Sequence, residues 1–206
     1  SAWQKDHDTL YWAHGHPKHH SNEDDGQIGC VLNSLYNRDP MSHGHINFTR
    51  CGLPIDVQKR IGEKFWGSPD TVDAIGDYTP TNIYKMKRLQ WVVARKELHD
   101  MLGICSWTAP WEVSPLREKG YIGDIEMESK VFRAVTGIEM TQDDLDKAGL
   151  RAFILQRLYT MRQLKSRNPR QDHDQYPEWI FWDPKGKAPF TKGTIRMERS
   201  DIEKSF

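Results

Sequence analysis

The chain has 206 residues, enough for one sizeable core or two small ones, which excludes a peptide scaffold and points to a globular protein. Its 29 Lys plus Arg balance 29 Asp plus Glu, so there is no charge excess to draw it to nucleic acid or to an anionic membrane. No apolar run approaches the roughly 20 residues of a membrane span, and the opening SAWQKDHDTL has no apolar signal-peptide core, so the expectation is a soluble, cytoplasmic chain.

Residues 1–25 form a histidine-rich segment without apolar period, read as loop with at most one short helical turn. The ordered domain is expected over 26–206. Ile28, Cys30, Val31, Leu32 and Leu35 predict a short helix from Gly26 to Tyr36, and the proline and glycine of NRDPMSHGHINF then break regularity. Leu53 to Gly67 reads as an amphipathic helix carrying Ile55, Ile61 and Phe65 and stopping on glycine. Thr79 before Pro80 predicts an N-cap, followed by Ile83, Met86, Leu89, Val93, Leu98 and Leu102 near helical spacing, with Gly103 as C-cap. The basic run KMKRLQWVVARK on that helix reads as a solvated face with its tryptophan buried.

A further helix is predicted from Ile125 to Val135, and a stronger one opens at Thr141 with Asp144 in a capping box and an apolar set of Leu145, Ala148, Ala152, Leu155, Leu158 and Tyr159. Beyond about Lys165 the chain turns polar and extended, with prolines at 169, 177, 184 and 189. Ser200 and Glu203 in SDIEKSF have the spacing of a capping box, a helix start signal with only three residues after it. Without repeats or useful strand alternation, the fold class is all-α, an irregular helical bundle with an extended C-terminal arm.

Three widely spaced cysteines, Cys30, Cys51 and Cys105, match neither a disulfide framework nor CxxC zinc pairs. Eight tryptophans, seven tyrosines and seven phenylalanines in a chain of mean hydropathy −0.77 require much aromatic burial, in its own core or against a partner. Cys105 sits just past the predicted helix end at Gly103, held by a rigid element with its backbone free to turn. It reads as a small buried hydrophobe, a nucleophile based on His99, or a metal ligand. His99 and Cys105 need not face each other if the helix runs to Leu102, and three cysteines fall short of the four thiolates a [4Fe–4S] cluster takes. His7, His14, His16, His19 and His20 form a tract that is a solvated loop or an adventitious zinc site. His43 and His45, in a loop between helices, have the chemistry of general acids or bases. No glycine-rich phosphate loop is present, so nucleotide binding is not supported.

Asp100-Met101-Leu102-Gly103-Ile104-Cys105 resembles the D-x-L-G-x-C signature of the aldehyde:ferredoxin oxidoreductases, tungsten or molybdenum enzymes with a bis-pterin cofactor beside a [4Fe–4S] cluster. Upstream, KRLQWVVARKELHD has the expected helical character; downstream, AVTGIEMTQDDLDKAGLRAFILQRLYTMR is similar to the family's A-V-T-G-x-[DE]-x-T-x-[DE]-[DE]-L-x-x-A-G-x-R run. DQYPEWIF and KGTIRMERSDIEK resemble its closing segment.

The resemblance implies the helical C-terminal region of such an enzyme. It makes Cys105 the fourth thiolate of the cluster, with Asp100 and Gly103 beside a pterin. Asn37 to His43 has the spacing of the family's N-x-x-x-x-x-H element, which makes His43 the proton-transfer candidate and His45 the alternate. The implied partners are a cofactor-binding N-terminal domain or subunit carrying the other three thiolates, a ferredoxin-like electron acceptor and an aldehyde or related substrate. This chain alone is then expected to be an inactive portion, shortened at both ends or made as a separate piece, with no stably bound cofactor. The alternatives are a non-catalytic helical interaction module and a small zinc protein using the N-terminal histidines.

Overall fold

The computed structural model describes residues 12–13, 16–17, 26–35, 52–73, 79–105, 111–174 and 198–206. In chain order these carry a two-strand ladder, β1 (Trp12–Ala13) with β2 (His16–Pro17), and helices α1 (Gly26–Leu35), α2 (Ile55–Trp66), α3 (Ile83–Leu102), α4 (Met127–Thr136), α5 (Gln142–Leu164), α6 (Pro169–Asp172) and α7 (Arg199–Glu203). The class is all-α, as expected. The antiparallel pairing of Trp12 with Pro17 and Ala13 with His16 replaces the loop or helical turn expected there.

Helix α2 starts on the Pro54 carbonyl, which accepts from Val57 N at 3.0 Å and Gln58 N at 3.1 Å. It stops at Gly67, whose φ of 86° is a left-handed cap that favours glycine. Helix α3 starts three residues later than Thr79: Asn82 is the N-cap, its side chain accepting from Tyr84 N and Lys85 N at 3.0 Å each. Thr79 is occupied elsewhere. Its hydroxyl bonds Asp73 Oδ1 at 3.0 Å and accepts from the buried Lys85 Nζ at 2.7 Å.

Two apolar clusters flank α3. Ile28, Val31 and Leu32 of α1 pack with Leu89, Val92 and Val93 of α3 and Ile202 of α7. Val57, Ile61 and Trp66 of α2 pack with Val72, and Trp91 of α3 touches both clusters. Helix α5 covers a third side of α3, crossing so closely that a Cβ on Gly149 would lie 2.1 Å from the Ala94 carbonyl oxygen. That crossing explains a glycine inside a 23-residue helix, where it otherwise costs about 1 kcal/mol relative to alanine.

The run from Ala134 to Arg151 is largely architectural. Gly137, at φ 72°, caps α4, and Thr141 with Asp144 forms the expected capping box, with N···O distances of 3.1 and 3.2 Å. Near the other end of α5, Arg157 clasps Asp174 with two bonds of 2.7 and 2.6 Å. Most of the expected extended arm, residues 175–197, lies outside the described residues. The last segment differs from the reading of an unused start signal: Glu198 is the N-cap of α7, and Ser200 lies inside the helix. The turn docks because Ile202 is fully buried and Asp201 Oδ2 accepts from Thr81 N at 3.1 Å. Among the described residues, no helix is long and apolar enough to cross a membrane.

Candidate functional site

The C-terminal end of α3 presents the Asp100–Cys105 segment. The helix stops because Gly103 turns left-handed at φ 68°, and Ile104 N–H donates back to the His99 carbonyl at 2.8 Å. A Cβ at Gly103 would meet nothing within 4 Å, so backbone handedness rather than crowding accounts for the glycine. Asp100 is exposed, and its Oδ1 accepts from Lys96 Nζ at 2.6 Å, while Lys96 itself is 3% exposed. Cys105 carries an exposed thiol on the far side of the turn, which overturns its reading as a buried hydrophobe. A carboxylate and a thiol thus flank one fixed turn.

Of the other predicted groups, His43, His45 and Cys51 lie outside the described residues, as do His7, His14, His19 and His20. Cys30 and His16 fall in α1 and β2. Among the described residues, no group of three or more His, Cys, Asp or Glu could hold a metal ion. An exposed free cysteine just past a helix end fits one corner of an iron–sulfur cluster; the other ligands would have to come from outside the described residues.

Behind this end lies a layer of buried charge. Most of the basic run is not a solvated face: Lys87 is exposed, but Lys85, Arg88, Arg95 and Lys96 are all buried, because α1, α2 and α5 enclose α3 and Asp73, Glu128 of α4 and Asp146 of α5 bring acids to it. Lys85 Nζ meets Asp73 Oδ1 at 2.5 Å. Arg95 reaches Asp146 through Nε at 2.6 Å, Glu128 through Nη1 at 2.6 Å and the Ile125 carbonyl through Nη2 at 2.6 Å. Arg88 and Arg95 also lie over the rings of Trp66 and Trp91, at 5.4 and 4.8 Å.

His99 Nε2 lies 2.9 Å from Glu128 Oε1. Burial works against the charge of Glu128, but the bonds from His99 and Arg95 hold its carboxyl below the usual range. Glu112 is the opposite case. It is fully buried, neither oxygen has a hydrogen-bond partner among the described residues, and burial pushes it up to about 7 despite the nearby Arg88 and Arg95 charges. Burial likewise lowers Arg88, against the pull of Glu112 and Asp73.

From the sequence, His99 stands only as a base for Cys105, and Glu112 and Glu128 have no role. The four-residue spacing of Arg95 and His99 puts them on one face of α3, and that much is visible in the sequence. Their shared acid stands 29 residues beyond His99, where only the fold brings it in.

Two surface features complete the region. A cleft of about 310 Å³ lies between the 111–124 turn and the start of α4, lined by Trp111, Val113, Lys119, Ile122, Asp124 and Met127 among others. Further along, Val131, Val135 and Ile138 are exposed, as are Ile154, Leu155, Leu158 and Tyr159 of α5. Half of the apolar set predicted for α5 therefore faces outward in this chain.

The family model for aldehyde ferredoxin oxidoreductase, domains 2 and 3, matches residues 42–205. No solved structure matches the chain. The match spans the end of α3, the capped α4–α5 run and the docked α7, the elements whose motifs carried the resemblance. The chain belongs to the aldehyde ferredoxin oxidoreductase family.

Proposed function

We propose that this chain is the helical C-terminal part of a cytoplasmic aldehyde:ferredoxin oxidoreductase-like enzyme, residues 26–206 forming the helical domain, and that the end of α3 is its contact with the cofactors. The carrying observation is that Asp100 and Cys105, before and after the left-handed turn at Gly103, are both exposed. A tungsten or molybdenum bis-pterin with a [4Fe–4S] cluster would supply, when bound, the two-electron redox chemistry on an aldehyde or related substrate and its link to a ferredoxin-like acceptor.

The chain's own residues hold and orient. Cys105 contributes one thiolate to the cluster. Asp100, an acceptor-only carboxylate when ionised, takes N–H donors from a pterin, and Lys96 orients it from the previous turn. His43 moves the proton released at the substrate, with His45 as alternate. The remaining thiolates and the pterin-seating surfaces come from a cofactor-binding domain or subunit, so the chain alone is inactive.

The test is metal content by elemental mass spectrometry on the chain purified without oxygen, with iron and sulfide supplied, in the presence and absence of the cofactor-binding region as a separate polypeptide. The expected result is no stoichiometric iron on the chain alone, and about four irons per complex that Cys105→Ser abolishes. A full cluster in the Cys105→Ser complex sinks the ligand assignment. His43→Gln should leave metal bound while removing one limb of the pH–rate profile; an unchanged profile moves the role to another group.

The exposed apolar row on α5 also suits a helical interaction module without catalysis. A chain that stays monomeric and fails to bind the cofactor-binding region would favour that reading.

A further inference from the structure

The end of α3 is held from the side by groups to which the function above gives no role. Arg95 and His99, one helical turn apart, are both 1% exposed. Glu128, in the first turn of α4 and equally buried, engages both at once: Oε2 takes Arg95 Nη1 at 2.6 Å, and Oε1 lies 2.9 Å from His99 Nε2.

The two teeth of this clamp are not equivalent. Arg95 keeps Asp146 and the Ile125 carbonyl if Glu128 is lost. The ring of His99 has no such reserve among the described residues: its Nδ1 finds no hydrogen-bond partner there, and it lies against the ring of Trp111, 5.9 Å away. A change at Glu128 is therefore felt at the His99 end of the helix. The backbone carbonyl of His99 is also the acceptor for Ile104 N–H, the bond that closes the turn immediately before Cys105.

We infer that Glu128 and His99 are positioning residues for the Asp100–Cys105 segment: the carboxylate from α4 holds the imidazole, the imidazole holds the last turn of α3, and the His99 carbonyl sets the direction in which the chain leaves toward Cys105. The purpose of this clamp rests on the proposed role of Cys105. Its existence does not, so the two fail separately.

Amide hydrogen exchange on the 206-residue chain reads the clamp directly, without metal. In Glu128→Ala and in His99→Phe, which keeps a ring against Trp111 but cannot bond the carboxylate, exchange at Ile104 should quicken at least about tenfold while α2 and the middle of α5 change by less than about twofold. Glu128→Gln, which still offers an oxygen to His99, should restore most of the protection at Ile104. The rate of Cys105 alkylation by iodoacetamide should shift in the same two variants and return in the third. Wild-type exchange at Ile104 in His99→Phe overturns the inference, as does an equal acceleration in every helix, which would mark a merely destabilised fold. Should Glu128→Ala not fold, the His99→Phe and Glu128→Gln comparison decides alone. A cluster that forms in a Cys105→Ser complex counts against the ligand role and leaves the exchange result untouched.

Discussion

Helices α3 and α5 lie against each other and are built in opposite senses. Helix α3 buries Lys85, Arg88, Arg95, Lys96, Glu97 and His99, while α5 leaves Ile154, Leu155, Leu158 and Tyr159 in solvent. By the ordinary rule a helix of a globular domain turns its charges out and its apolar side chains in. The reversal has a geometric cause in α3: it is enclosed by α1, α2 and α5, so even its charged face meets protein, and Asp73, Glu128 and Asp146 arrive there to neutralise it. Helix α5 packs one side on α3 and has nothing among the described residues on the other. A helix's amphipathic pattern is thus set by what surrounds it. In a family whose enzymes join this region to others, the bare side of α5 suits a surface that a further domain covers.

The sharpest way to break this contrast is to remove a buried charge from α3. Arg95→Ala would leave Glu128 short of its Arg95 bond and Asp146 without its two, and losing one partner of a buried ion pair costs about 3–5 kcal/mol. Denaturant titration should show that loss; a change under about 1 kcal/mol would mean that water reaches the site and the layer is not sealed.

A smaller effect separates the unpaired acid from the paired ones. Glu112 binds its proton more tightly folded than unfolded, its ordinary value of 4.5 being raised to about 7, so the folded state carries more protons across that interval and stability falls as pH rises through it. Above pH 7 the penalty is complete, on the order of 3 kcal/mol. Glu112→Gln cannot ionise, and its stability relative to the parent should improve by about that amount between pH 4.5 and pH 8. A pH-independent difference between the two proteins would show that Glu112 stays charged and has found a partner.

The smallest expected effect is on α5. Leu155→Glu, at a position 69% exposed, should change stability by less than about 0.5 kcal/mol in denaturant titration. A loss of about 2 kcal/mol or more would mean that the side chain is covered within the chain itself and would remove the contrast with α3.

Local signals survived where they were chemically complete within one turn. The stops at Gly67 and Gly103 and the Thr141–Asp144 box stand where the sequence put them, because each is satisfied by atoms three to five residues apart. The signals at Thr79 and Ser200 failed for a common reason. Each has the right residue type, but Thr79 Oγ1 is spent on Asp73 and Lys85, and the segment around Ser200 is placed by Ile202 and Asp201 docking into the body. The candidate site divided along the same line. Asp100, Gly103 and Cys105 were legible as a motif; their support was not.

What the sequence by itself determined is the all-α class, the order of the main helices with the glycine stops of α2 and α3, and the segment from Asp100 to Cys105, since helical period, capping and a six-residue motif are all local. What only the tertiary structure decided is which faces are inside. Twenty-nine residues separate His99 from Glu128, and 51 separate Arg95 from Asp146, and no property of either partner announces the other. A buried charge is stable only beside its counter-charge, so whether the basic run of α3 lies in water or in protein is a question about where other segments end up, and folding alone answers it.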